Sequence, residues 1–408
     1  MNFPRETSPE VPLEFVRIPE NQYYDYKTEV IFNGYKWDPQ INDQNTIAKH
    51  VILIEKETAL QLGQWAQMLS LETMQMEEKL IENPHLAKNL RLPYKINKAL
   101  PLLSNYKRDR HIRLMRFDFH LTQTGWMISE VNSDVPGGIA EASVLPQIAC
   151  RYIRGLQGEN TAYHLLNAFQ SKTNRGAIAF VHATSYSDDR QVMQFIGDYF
   201  SGKNIKTIYI SPDHIKWNNK KAFNIVRGEE CEIDGIFRFF PLEWLVNLPR
   251  YAHWQGYYDC QNPSCNNPAA IFAQSKRLPL IWDSLNLEIP AWKHFLPETV
   301  DPKSLRDKDD EWVFKPALGR VGEGISIKEA VSVKELALIK RAAKKNPEQW
   351  VAQRLFKSRA IQAENGESYH LCIGVFTVDG KNAGFYGRIS PYPRIDSKAI
   401  DIPILISP

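Results

Sequence analysis

Cysteine is scarce and scattered in this chain of 408 residues: five in all, at positions 150, 231, 260, 265 and 372. An odd, dispersed set does not make a disulfide framework and points instead to free thiols in a reducing compartment. Cys260 and Cys265 form a C-x₄-C pair, but no second pair completes a zinc site. Long apolar runs are missing as well. No stretch approaches the roughly 18–20 residues of a membrane span, and the opening MNFPRETSPEVP lacks the apolar centre of a signal peptide. A cytoplasmic protein with no membrane partner is therefore expected. An excess of one charge is absent too, since the net charge is only +3. That is too mild to imply nucleic acid as a partner. No repeat at a solenoid period is present. What remains is an ordinary globular composition at a length beyond one simple core, so two or three lobes are expected.

Residues 112 to 132, IRLMRFDFHLTQTGWMISEVN, hold the first chemical signal. Two alternating stretches flank Gln123-Thr124-Gly125, and a three-residue hairpin loop favours glycine at its third position. With Thr122 opposite Trp126, Asp118 would face Glu130 and Arg116 would face Asn132. Strand side chains alternate with period two, so all four would share one face. Phe117, Phe119, Leu121, Met127 and Val131 would occupy the other. Opposed carboxylates repel unless a cation lies between them. A salt-bridged surface strand would explain Arg116 and Asp118 alone, but the apolar second face speaks for a packed hairpin. Asp, Glu and Asn oxygens are the hard donors Mg²⁺ prefers. The hairpin then runs into Ser133-Asp134-Val135-Pro136-Gly137-Gly138, whose glycines permit close backbone approach.

The rest of the chain divides by texture into 1–170, 171–265 and 266–408, as lobes intertwined into one unit. Residues 1–50 read as irregular structure draped over a body. Lys56 to Asn89 has a helical pattern carried by Leu60, Leu62, Met68, Met74 and Leu80, and a further helix is expected from about Ile139 to Phe169. Ala177–Val181, a helix capped by Ser187-Asp188-Asp189, and Ile205–Ile210 make a βαβ unit and hence a parallel sheet. Ile233–Phe240 is another strand, followed by Pro241-Leu242-Glu243-Trp244-Leu245. Glu243 in that apolar setting could bind a cationic substrate group or join a structural ion pair.

In the last third, Gln274-Ser275-Lys276 begins a helix-like segment. Glu311–Pro316 is a strand bearing Lys315, Leu318–Gly324 is a glycine-rich loop, and Ile325–Ile327 resumes a strand. A helix spans 331–345 and a strand Trp350–Leu355. Tyr369–Val378 and Lys381–Ser390 pair across Asp379-Gly380, a strong hairpin signal. Gly319, Gly322 and Gly324 would let backbone N–H groups close over phosphates, with Lys315 and Arg320 supplying positive charge. The spacing matches neither a P-loop nor a dinucleotide fingerprint. Alone the loop could be an ordinary hairpin; beside an Mg²⁺-type cluster it gains weight, because phosphoryl transfer needs both.

Arg116-x-Asp118, Glu130-x-Asn132-Ser133-Asp134, Phe240-Pro241-Leu242-Glu243-Trp244, Gln274-Ser275-Lys276, Phe314-Lys315-Pro316 through Gly324, and Gly384 to Arg388 occur in this order. Over roughly residues 100–408 the chain thereby resembles glutathionylspermidine synthetases. The resemblance implies a mixed α/β, α+β-type chain with a circularly permuted ATP-grasp fold. One lobe would be a parallel preATP-grasp-type βαβ unit and the other an antiparallel ATP-binding lobe. It implies ATP as cofactor, with Asp118, Glu130 and Asn132 holding its Mg²⁺, two ions in this family. Arg116 would meet the transferring phosphate, Lys315 and Lys276 the nucleotide phosphates, and Gln353 the adenine border, while Arg388 would close over the site. Residues 1–100 hold no cysteine for an amidase nucleophile. Where those enzymes carry threonine and serine after the metal asparagine, this chain has Asp134-Val135-Pro136-Gly137-Gly138. Glutathione is therefore not carried over as substrate, although Ser133 and Asp134 would approach the carboxylate.

The expected activity is an ATP- and Mg²⁺-dependent carboxylate–amine ligase working through an acyl phosphate. Its partners would be a small peptide or other carboxylate and an amine, and the chain would act as a monomer or homodimer. An ATP-binding protein of the same fold without ligase activity is the alternative. A metal-dependent hydrolase built on Asp118 and Glu130 would leave Lys315 and the glycine loop without a role.

Overall fold

The computed structural model describes residues 11–408 except 42, 175, 229, 306–310, 320–324, 328–329 and 365. Arg320, Gly322 and Gly324, and with them most of the expected glycine-rich loop, lie outside the described residues.

The longest helix, Lys56–Glu82, forms where the sequence lacks breakers. Leu62, Trp65, Leu69, Thr73, Met76 and Leu80 recur every three or four residues and are buried. Leu60, expected on that stripe, is 57% exposed. Residues 60 and 62 lie just over half a turn apart, on opposite sides of the helix, so they cannot share a face. The amino-terminal region is more regular than expected: Glu20–Phe32 is a helix and Leu13–Arg17 a strand. Only Tyr26 and Val30 of that helix are buried, too thin a stripe to show as periodicity. The helix expected from 139 to 169 is two, Ile139–Ala149 and Thr161–Lys172. Between them Leu156 bridges to Ile406, and the Asn160 side chain caps the second helix by accepting from the Tyr163 N–H.

The βαβ expectation holds. Ala177–His182 pairs in parallel with Thr207–Ile210 around the helix Ser187–Ser201, and Cys231–Phe239 adds a parallel strand on the other side. An antiparallel ribbon, Ile215–Asn218 and Lys221–Asn224, extends this sheet.

The central element is a six-stranded antiparallel sheet that joins distant parts of the chain. Leu114–Thr122 pairs with Gly125–Asn132 on one side and with Ser368–Val378 on the other, which in turn pairs with Lys381–Ser390. The last two strands meet in the expected two-residue turn, with Asp379 and Gly380 both at positive φ. One face of this sheet, with Phe117, Phe119, Ile373 and Phe385, packs on the long helix in the main core. A smaller antiparallel sheet of Thr299–Val300, Trp350–Arg354 and Trp312–Pro316 stands opposite the other face. Ile325–Ile327 is not a strand, although Phe314 and Ser326 bond to each other there. Among the described residues no helix is long and apolar enough to cross a membrane.

Candidate functional site

The hairpin reaches the expected juxtaposition by another route. Its loop is two residues, Gln123-Thr124, because Thr122 pairs with Gly125 rather than with Trp126. The Thr122 hydroxyl accepts from the Thr124 N–H and donates to the Gly125 carbonyl, stitching the short turn. That one-residue shift would turn Glu130 and Asn132 to the wrong face. A bulge restores them: Phe119 faces Ile128 and Phe117 faces Val131, so Ser129 and Glu130 together stand across from Asp118. Arg116 then faces Asn132, as expected. The core face correspondingly takes Trp126 and Ile128, both buried, in place of the half-exposed Met127.

Asp118 is buried among cations. Arg116 grips it in a two-pronged pair (Nε to Oδ1 2.7 Å, Nη2 to Oδ2 3.0 Å), and Arg388 Nη2 reaches Oδ2 at 2.8 Å. The Asn132 amide donates to the same Oδ2 at 3.1 Å. Burial alone would push this carboxyl up, but Arg116 and Arg388 outweigh it and hold it down at about 2. Glu130 meets Lys276 at 2.9 Å; there too burial raises the pKa, and Lys276 together with Lys315 more than reverses it. Lys276 also donates to the Gly319 carbonyl.

From the smaller sheet, Lys315 and Gln353 lie on one face, with Nζ to Oε1 at 2.6 Å. The Lys315 ammonium also donates to the carbonyl of bulged Ser129 at 3.1 Å. Burial lowers the Lys315 pKa to about 8. Between the two sheets lies a cavity of about 230 Å³ whose walls include Asp118, Glu130, Lys315, Gln353 and Arg388. Further cations, Arg354, Lys357 and Arg394, line it together with apolar Ile325, Ile327 and Phe356. Such a wall suits a polyanion carrying a flat apolar group.

Two residues at the site were not singled out from sequence, His120 in the cavity wall and Tyr386 behind the arginines. His120 lies two positions beyond Asp118 on the same strand face and bonds Ser129 Oγ at 3.0 Å; burial lowers its pKa to about 4. Tyr386, two positions before Arg388, lies beneath both guanidiniums. The period-two rule that linked Arg116 to Asp118 would have found both.

Other expected residues lie elsewhere. Ser133 and Asp134 are fully buried and do not line the cavity. Ser133 is bonded by Arg113 and donates to the Ala270 carbonyl. Asp134 pairs with Arg238 at 2.5 Å and accepts from the Leu242 N–H. These bonds anchor the end of the hairpin instead of presenting side chains to a ligand. Glu243 lies on the Leu242–Leu245 turn and is likewise not among the cavity residues. Gly137 gives its carbonyl to Arg116 Nη1 at 2.6 Å, so the close approach its loop permits is to the site arginine.

Among the described residues no three His, Cys, Asp or Glu side chains cluster as metal ligands. The candidate set is two carboxylates and an amide, all oxygen donors. Glu130 Oε1 and Asn132 Oδ1 receive no hydrogen bond from any described residue. This chemistry fits a hard cation that keeps some water and phosphate ligands.

Residues 17–403 match the family described as glutathionylspermidine synthase preATP-grasp. A Haemophilus influenzae protein described as a "Putative acid--amine ligase" is 24% identical over 222 residues, covering 52% of this chain and 54% of that protein. The chain thus spans about half the length of the curated relative it matches. The solved structure of a glutathione synthetase-like effector from Globodera pallida superposes with a TM-score of 0.66 at 12% identity. The match covers 95% of this chain and 96% of that one, a likeness of fold.

Proposed function

The chain belongs to the glutathionylspermidine synthase preATP-grasp family, and from that membership we propose that it is an ATP-dependent carboxylate–amine ligase. One observation carries the reading. Asp118 and Glu130 from one hairpin, Lys315 from the smaller sheet and Arg388 from the closing hairpin all border one cavity. Phosphoryl transfer from ATP asks for that combination of metal-type oxygens and fixed cations.

In the proposed reaction a substrate carboxylate oxygen attacks the γ-phosphorus, and the bond to the β-phosphate oxygen breaks, giving an acyl phosphate and ADP. An amine nitrogen then attacks the acyl carbon, loses a proton and expels phosphate, leaving an amide. Arg116, already oriented by Asp118 and the Gly137 carbonyl, would face the transferring phosphoryl group. Arg388 would join it there. Lys315 and Lys276 would hold the nucleotide phosphates, with Gln353 at the adenine border. Mg²⁺ held by Asp118, Glu130 and Asn132 would neutralise phosphate charge. The protein's contribution is alignment and charge, with no covalent step of its own. The carboxylate is a small peptide or similar acid and the other substrate an amine.

The test is incubation with Mg-ATP and pooled carboxylates and amines, reading ADP and amide product by mass spectrometry. ADP should appear one-for-one with amide. Asp118→Asn and Lys315→Met should each slow this about 100- to 1,000-fold, as is typical when one electrostatic contributor is lost. Nucleotide binding without ADP formation in any pool would instead make the chain a binding protein.

A further inference from the structure

We infer that Tyr386 is a positioning residue that holds the two site arginines side by side, an inference that rests on the ligase reading above. Arg116 and Arg388 both converge on Asp118, so two like charges share one carboxylate and repel each other. Their guanidinium carbons lie 5.2 and 5.3 Å from the centroid of the Tyr386 ring. An aromatic face is electron-rich, and one ring can attract both cations where water is excluded. Their convergence therefore has two sources, the Asp118 charge on one side and the Tyr386 face on the other.

The sheet builds this arrangement deliberately. Asp118, Gly374 and Tyr386 lie in one row across three strands. Gly374 has no side chain between them; a Cβ there would stand 2.7 Å from Arg116 Cδ. Gly138, at φ +86, abuts the ring, and a Cβ there would come within 2.5 Å of its Cδ1. The ring is tethered from behind. Its hydroxyl donates to Asp401 Oδ1 at 2.7 Å, and Asp401 Oδ2 pairs with buried Lys36 at 2.8 Å. Lys36 also meets Asp38 and Glu141. Burial raises the phenol pKa well above its usual value, so the hydroxyl remains a donor. Lys36, Asp401 and Tyr386 thus connect the amino-terminal region to the arginines.

The experiment measures Mg²⁺-supported binding of ADP and of a non-hydrolysable triphosphate analogue to the full chain by calorimetry. The ratio of the two affinities reports on the γ-phosphate contact. Tyr386→Leu should lower the ratio roughly 10- to 30-fold while ADP affinity changes little. Tyr386→Phe, which keeps the ring, should hold it within about threefold. If the leucine variant does not fold, Tyr386→Met carries the same expectation. An unchanged ratio on loss of the ring, equal damage from the phenylalanine variant, or a wild-type ratio near one would each overturn the inference. The ratio needs no amide formation, so missing ligase turnover would count against the activity reading and not against the ring.

Discussion

At Asp118 burial and charge work against each other, and the charges prevail. The carboxylate keeps its negative charge in a dry setting because two arginines and an amide point at it. Lys315 shows the opposite balance: burial wins, and its ammonium titrates near 8. A lysine with a lowered pKa is charged below that value and neutral above it. On the proposed reading, ADP affinity should therefore hold steady up to about pH 8 and weaken above it, while Lys315→Arg, charged throughout, should flatten the profile. Calorimetric titration between pH 6.5 and 9.5 checks this, and a flat wild-type profile would remove Lys315 from the phosphate contacts. Gly374 offers a second residue-scale test. Because a Cβ there collides with the Arg116 side chain, Gly374→Ala should displace that guanidinium and cut ATP-dependent turnover at least about tenfold with the fold retained. Unaltered turnover would show that Arg116 can be displaced without cost.

Among the elements, the long helix Lys56–Glu82 and the hairpin are bound by a buried ion pair. Arg113, just ahead of the first hairpin strand, meets Glu77 through two bonds of 3.0 and 2.6 Å and donates to the Ser133 carbonyl at 2.8 Å. Arg113→Met would strand Glu77 in the core and should destabilise the protein by about 3–5 kcal/mol, read as a shift in denaturant midpoint. A shift below about 1 kcal/mol would mean that the helix tolerates an uncompensated carboxylate. Elements with a strong periodic or turn signal were legible in sequence: the βαβ unit, the Asp379-Gly380 hairpin, and most of the long helix. The Glu20–Phe32 helix was not, because two buried residues make no pattern. The break between Ile139–Ala149 and Thr161–Lys172 had local signals, Gly155, Gly158 and the Asn160 cap, that an apolar periodicity passes over; the Leu156–Ile406 bridge that fixes the segment is not local. In the first hairpin the polar residues sharing a face were legible, but the turn and the apolar residues of the second strand were not. A two-residue loop and a bulge cancel, and an alternation rule sees only their sum.

Over the whole molecule the site exists because strands bearing Asp118 and Arg388, 270 residues apart, lie in one sheet while Lys315 arrives from another. Individual motifs could be read one by one, and Asp118, Glu130, Lys315 and Arg388 do meet at one cavity. Which neighbouring residues face inward depends on packing. Ser133 and Asp134 follow the metal-type asparagine directly, yet they turn into the interior to satisfy Arg113 and Arg238. His120 and Tyr386, inconspicuous in sequence, share the site's face. The central claim is that Asp118, Glu130 and Asn132 form the metal-binding wall of a nucleotide site completed by Lys315. It is tested most directly by crystals of the full chain grown with ADP and Mn²⁺, a Mg²⁺ surrogate visible by its anomalous scattering. The account predicts metal peaks bonded to oxygens of all three residues, with Lys315 on the ADP phosphates. Metal and nucleotide bound away from this cavity would contradict it.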